Sequence, residues 1–177
     1  MNKLLILGAG GHSKVVAETA LATRHFDNVI FLDDKYSEET IFKSTYGDKI
    51  IGPLSESLNK RVLDTFRHAA VAIGDCTLRI EWLKKLIDFG YKLPSIIHPS
   101  AIIANSSHID FGTVVFANAV VQSEARIGKG VILNTSCNID LPPLATDPKD
   151  FSKIVVRPPF IFPGVGLLFM ELLLIEV

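Results

Sequence analysis

Gly8-Ala9-Gly10-Gly11-His12-Ser13 stands between an apolar run, Leu4-Leu5-Ile6-Leu7, and a stretch of helical period. Glycines there admit positive φ and let a ligand come close to the backbone. A helix starting at such a turn offers unpaired N–H groups and the positive end of its dipole, an arrangement that receives phosphate. Ser13 is of a type that caps a helix N-terminus. The sixth position of the turn is Ser, not the third Gly of the dinucleotide fingerprint, so a nicotinamide site is disfavoured. Asp33-Asp34 ends the next apolar run, Val29-Ile30-Phe31-Leu32. Carboxylates at that place suit a ribose hydroxyl or the N–H of a nucleobase. Gly74-Asp75 ends a third run, Ala69-Ala70-Val71-Ala72-Ile73.

The elements that must position these groups alternate. Strands are expected at 4–7, 29–32 and 69–73, each a continuous apolar run of the kind a parallel sheet buries on both faces. A helix is expected over 13–22, with Val15, Val16, Thr19 and Ala20 on one face. Part of a second helix falls at 62–67. A third, amphipathic helix runs over 77–89, with Leu78, Trp82, Leu83, Leu86 and Ile87 on its apolar face and Gly90 as C-cap. Strand and helix in this rhythm predict a small parallel α/β sheet whose strand ends meet at one ligand edge.

From Ile97 the period becomes six. Ile97, Ile103, Ile109, Val115, Val121, Ile127, Leu133 and Ile139 follow one another at that interval. Chance would align eight such residues on the order of once in ten thousand starting frames. Four residues after each of the first seven stands a small or compact one: Ala101, Ser107, Thr113, Ala119, Ala125, Val131 and Cys137. One branched aliphatic and one small residue per six is the pattern of a parallel β-helix built from hexapeptides, three to a triangular coil. Antiparallel strands with spacings of about 8–12 residues do not explain a strict six. The period ends after Ile139, where Pro142-Pro143, Pro148 and Pro158-Pro159 crowd the chain and a nearly unpunctuated apolar run, Leu167-Leu168-Phe169-Met170-Glu171-Leu172-Leu173-Leu174-Ile175, follows. A solenoid needs a polar terminal cap, and this end is the reverse of one.

Composition sets the limits. Of 177 residues, 48% are hydrophobic and 21% charged, with a formal net charge of −1, so the chain can fill a core and carries no basic excess for nucleic acid or an anionic membrane. Cys76 and Cys137 form no metal-spaced cluster or disulfide framework. No N-terminal leader and no run of about 18 apolar residues is seen, and a cytoplasmic protein is expected.

The Gly-Ala-Gly-Gly-His turn, Phe31-Leu32-Asp33-Asp34, Ala72-Ile73-Gly74-Asp75, Ile97-His98-Pro99-Ser100-Ala101 and Gly130-Val131-Ile132-Leu133-Asn134-Thr135 together resemble bacterial sugar acetyltransferases of the sialic-acid O-acetyltransferase and UDP-4-amino-sugar N-acetyltransferase type, the NeuD/PglD group. The resemblance covers residues 1 to about 140. It implies a Rossmann-like nucleotide-sugar domain at 1–94 and a short left-handed β-helix of hexapeptide repeats at 95–141, and leaves the Pro-rich and apolar stretch at 142–177 outside it as an aberrant tail. It implies acetyl-CoA as co-substrate, no metal, a nucleotide-activated amino sugar or sialic acid as acceptor in surface-glycan synthesis, and a homotrimer. Carried onto this chain, the substrate-binding residues are Gly8, Gly10, Gly11 and His12 at the diphosphate-sugar, Asp33 and Asp34 at the nucleoside, and Gly74 and Thr77 beside them.

One position departs from the family. Its members place a histidine general base between acidic residues shortly after Asn-Thr; here the run is Asn134-Thr135-Ser136-Cys137-Asn138-Ile139-Asp140-Leu141-Pro142. Leu141 stands at the base position and accepts no proton, so no catalytic residue is assigned. Loss of a general base costs roughly 10²–10⁴ in rate. His98 and His108, in earlier repeats, are read as surface residues rather than substitutes. The later coils, which the resemblance implies bind the coenzyme, are also missing, and a reading-frame change after about residue 140 accounts for both losses. A nucleotide-sugar-binding module without catalysis is the alternative function.

Overall fold

The computed structural model describes residues 2–35 and 50–140 and the backbone of Val156–Arg157. Leu141, the last residue of the expected β-helix, and the expected tail at 142–177 apart from that Val156–Arg157 backbone lie outside these residues. The first half holds β1 (Lys3–Leu7), α1 (Gly11–Ala22), β2 (Asn28–Leu32), a 3-10 turn at Leu54–Leu58, α2 (Lys60–Thr65), β3 (His68–Val71) and α3 (Cys76–Phe89). The sheet is parallel, in the order β2-β1-β3. Leu4, Leu5, Ile6 and Leu7 on the central strand are each 0% exposed, which is why that strand reads as unbroken apolar sequence. Ile50 bridges the outer edge of β2 and Lys92 that of β3.

The helices bury different stripes from those their sequence suggests. On α1, Ser13, Val16, Ala17, Thr19 and Ala20 are buried while Val15 is exposed. On α3, Leu78 and Ile87 are both exposed, and the buried residues are Arg79, Trp82, Leu83 and Leu86. The expected apolar face is thus rotated, because α3 packs on a second body besides the sheet. Gly90 ends α3 at φ +108°, as its type requires.

The second half is eight two-residue strands: β4 (Ile96–Ile97), β5 (Ile102–Ile103), β6 (His108–Ile109), β7 (Val114–Val115), β8 (Val120–Val121), β9 (Arg126–Ile127), β10 (Ile132–Leu133) and β11 (Asn138–Ile139). Each pairs in parallel with the third strand on, as Ile97 does with Val115 and Val115 with Leu133, a register of eighteen residues. Three ladders result: β4-β7-β10, β5-β8-β11 and β6-β9. The sixth-residue aliphatics form one core, Val115, Val121, Ile127, Leu133 and Ile139 buried with Ile97, Ile103 and Ile109 packed against them. Ala101, Ala119, Ala125, Val131 and Cys137 from the second repeating position share that core. The arrangement is consistent with a parallel β-helix. A last strand, β12 (Val156–Arg157), lies antiparallel on β11.

The two halves share apolar packing. Val16, Ala17 and Ala20 of α1 cluster with Ile96, Val114 and Phe116 of the first ladder. At α3 the contact is closer. Gly112 and Gly130 turn two corners at φ +69° and +64°, and a Cβ on either would overlap the tip of Leu83. A larger residue at these corners would push that tip aside.

Candidate functional site

The turn after β1 is fixed from both sides. Gly8, at φ +100°, donates its N–H to the Leu32 carbonyl at 2.7 Å, and a Cβ on it would meet the Ala72 carbonyl oxygen at 2.9 Å. Its requirement for glycine is therefore met by the protein's own backbone. Gly10 and Gly11 differ: a Cβ on either meets nothing within 4 Å, so these two leave open approach to the backbone.

Gly10 is the N-cap of α1 and no side chain caps this helix, whereas Asn59 and Asp75 cap α2 and α3. Ser13 does not serve as the cap. It lies inside the first turn, fully buried, and its Oγ donates back to the Gly10 carbonyl at 2.5 Å. The first N–H groups of α1 have no intrahelical acceptor, and no carboxylate occupies its first turn. The helix start thus keeps its donors and its positive dipole end.

His12, the second residue of α1, sets its ring edge-on to Phe116 at 5.4 Å between centroids. Its Nε2 is buried without a hydrogen-bond partner. Burial, and then the charge of Arg79, hold the imidazole below its ordinary pKa, so the neutral ring is favoured. Phe116 also walls a shallow groove between α1 and a ladder corner, together with Val15, Glu18, His98 and Thr135.

Asp33 and Asp34 do end β2, and both carboxylates bind backbone. Asp33 Oδ2 accepts from the Ala9 N–H at 2.7 Å and Oδ1 from the Lys35 N–H at 2.8 Å. Asp34 Oδ1 accepts from the Leu54 N–H at 2.9 Å, tying β2 to the 3-10 turn. Gly74 is exposed, with nothing within 4 Å of the Cβ it lacks. Asp75 Oδ1 accepts from the Leu78 N–H at 2.8 Å as the α3 cap, and Thr77 is exposed in that helix's first turn.

The sequence did not single out Arg79. It is 4% exposed, and its guanidinium donates to the carbonyls of Ile73, Gly74 and Gly130. A helical wheel places it one position from Leu78 and says nothing of three carbonyl acceptors. Phe116 was missed too, since its only signal is an aromatic just after a ladder position.

His98 is fixed as a donor. Its Nδ1 accepts the Ser100 N–H at 3.1 Å and lies 2.8 Å from Ser100 Oγ, which itself accepts the Asn118 N–H at 3.1 Å. With Nδ1 accepting, the proton of the neutral ring sits on Nε2, so that nitrogen has no lone pair for a base. Among the described residues no group of His, Cys, Asp or Glu is placed to hold a metal, and no helix is long and apolar enough to cross a membrane.

Residues 3–86 match the model of the PglD N-terminal domain family. A UDP-N-acetylbacillosamine N-acetyltransferase of Bacillus subtilis (strain 168) is 34% identical over 119 residues, 66% of this chain and 52% of that protein. The chain thus spans about half the length of this curated relative. Among solved structures, the acetyltransferase domain of PglB from Neisseria gonorrhoeae FA1090 superposes with a TM-score of 0.71 at 37% identity, covering 79% of this chain and 65% of that one. The same domain has been solved with acetyl coenzyme A. A mutant of perosamine N-acetyltransferase from Caulobacter crescentus, in complex with CoA and GDP-perosamine, gives a TM-score of 0.68 at 28% identity over 78% of this chain and 62% of that one. The likeness to the NeuD/PglD-type group stands on all of these.

Proposed function

We propose, from this kinship with the NeuD/PglD-type sugar acetyltransferases, that the chain holds a nucleotide-activated amino sugar at the carboxyl ends of its parallel strands. The uncapped start of α1 beside the buried, unpartnered Nε2 of His12 carries this reading. Gly10, Gly11 and His12 receive the diphosphate. Gly74 and Thr77 border the pocket. Asp33 and Asp34 keep their backbone bonds and offer their remaining lone pairs to the nucleoside. Gly8 shapes the turn.

The group's chemistry is acetyl transfer from acetyl-CoA. The acceptor nitrogen or oxygen attacks the thioester carbon, the C–S bond breaks, CoA leaves as the thiol, and a base takes the acceptor's proton. In this reading the ladders are a left-handed β-helix that trimerises in the cytoplasm. Leu141 at the base position leaves the scaffold without its proton acceptor. That residue also favours the second reading, a nucleotide-sugar-binding module that transfers nothing.

Three measurements test this. Uridine, cytidine and guanosine diphosphates are titrated in a thermal-shift assay, and one of them is expected to raise the melting temperature. No shift with any at millimolar concentration ends the nucleotide reading. Thiol release from acetyl-CoA with a UDP-linked amino sugar is expected at background. Robust turnover refutes the role given to Leu141. Stabilisation by acetyl-CoA separates the transferase scaffold from the binding module, which ignores it.

A further inference from the structure

Arg79 is a buried cation that the function proposed above leaves unused. Among the described residues no ion pair joins a carboxylate to Arg79. A charge withdrawn from water persists only if its donors are well met. Here they are met by carbonyls from two separate bodies. Nη1 donates to Ile73 at 2.8 Å and to Gly74 at 3.0 Å, at the end of β3. Nε donates to Gly130 at 3.0 Å, at a corner of the ladders.

The corner has other support. Leu83 presses on Gly112 and Gly130 so closely that a Cβ on either would overlap it. The loop has less. The Cβ that Gly74 lacks would touch nothing, and the other side-chain contact on its carbonyl is the Cys76 Sγ at 3.9 Å. Leu83 therefore seats the helix, while Arg79 reaches from that seat to the loop.

We propose that Arg79 is a positioning residue, whose fork fixes the Ile73–Gly74 backbone to the Gly130 corner and so sets where a ligand at the sheet edge lies relative to the ladders. The inference rests on the nucleotide-sugar reading for its consequence, but not for the clamp itself. A planar guanidinium with several fixed donors bridges the two bodies; a lysine ammonium is a point donor on a flexible stem.

The experiment compares Arg79→Lys, Arg79→Gln and Leu83→Ala, the last weakening the helix seat without touching the loop. Amide hydrogen exchange over residues 73–77 is followed without ligand, and the affinity for the stabilising nucleoside diphosphate is measured well below each melting temperature. Both Arg79 variants are expected to exchange about tenfold faster in that segment and to bind about tenfold more weakly. Leu83→Ala, though less stable, is expected to stay near wild type in both. Arg79→Lys keeps the charge, so its failure to rescue assigns the effect to geometry. Arg79 variants that exchange and bind like wild type overturn the proposal, as does Leu83→Ala loosening the segment equally. If wild type binds no nucleotide while the exchange contrast holds, the clamp stands and the ligand reading falls.

Discussion

Asp33 Oδ2 accepts the Ala9 N–H at 2.7 Å, so the end of β2 holds the turn that follows β1. Its other oxygen holds the Lys35 N–H. Removing the carboxylate leaves the part-buried Ala9 N–H without its acceptor, while the exposed Lys35 N–H turns to water. Asp33→Ala is expected to cost about 2 kcal/mol, the scale of hydrogen bonds to a charged group, and to weaken nucleotide binding at the same time. Asp33→Asn, which keeps an acceptor, is expected to lose less. Urea denaturation of the three proteins decides it, and an Asp33→Ala protein as stable as wild type would show that the bond contributes nothing.

Acid should destabilise the fold through its histidines. Burial and Arg79 hold His12 below its ordinary value of 6.5, and burial and Lys92 do the same to His68. Below 6.5 the unfolded chain therefore binds protons that the folded chain refuses. Stability is full above that pH and falls as pH drops toward the folded-state values. His12→Phe is expected to flatten part of this acid limb, leaving the His68 share. Urea midpoints at several pH values between 7.5 and 5 (a range set by the ordinary histidine pKa, ~6.5) read it out. Parallel acid limbs in the two proteins would remove His12 from the account.

Gly130 and Leu83 should couple. Alanine at Gly130 costs about 1–2 kcal/mol for the left-handed backbone, and its Cβ collides with the Leu83 tip. In a Leu83→Ala background the collision is gone. Gly130→Ala is thus expected to cost less there than in wild type, by about 1 kcal/mol. A double-mutant cycle measures this, and equal costs in both backgrounds would mean that the corner does not press on the helix.

His98 should be found as the Nε2–H tautomer when neutral, because the Ser100 N–H occupies Nδ1. Long-range proton–nitrogen NMR on ¹⁵N-histidine protein reports it. Any residual acetyl transfer is expected to survive His98→Gln. A neutral ring protonated on Nδ1 would reopen the residue as a base.

Strand ends and the sixfold ladder were legible because each rests on a local pattern: continuous apolar runs ended by Asp or Gly, and one aliphatic residue per six. Gly10, Gly11 and His12 were legible as a turn ahead of a helix expected from residue 13, and the structure starts that helix two residues earlier, at Gly11. What escaped depends on contacts across the chain. Asp33 and Asp34 look free in sequence, but their acceptors are backbone groups at positions 9, 35 and 54. The buried face of α3 was misjudged because Arg79, polar by type, finds a carbonyl at Gly130, fifty-one residues away. Ser13 carried the right chemistry for a cap and stands three places too late to act as one.

The eighteen-residue register has a consequence for how such a protein grows or shrinks. Within the parallel ladders each strand meets the one eighteen residues before it and the one eighteen after, with β12 added antiparallel on β11, so the register itself sets no number of repeats. Duplicating a block of eighteen residues adds a storey and leaves α1 and α3 on the same wall. Removing six instead would move every later strand onto a different ladder and present the helices with different residues.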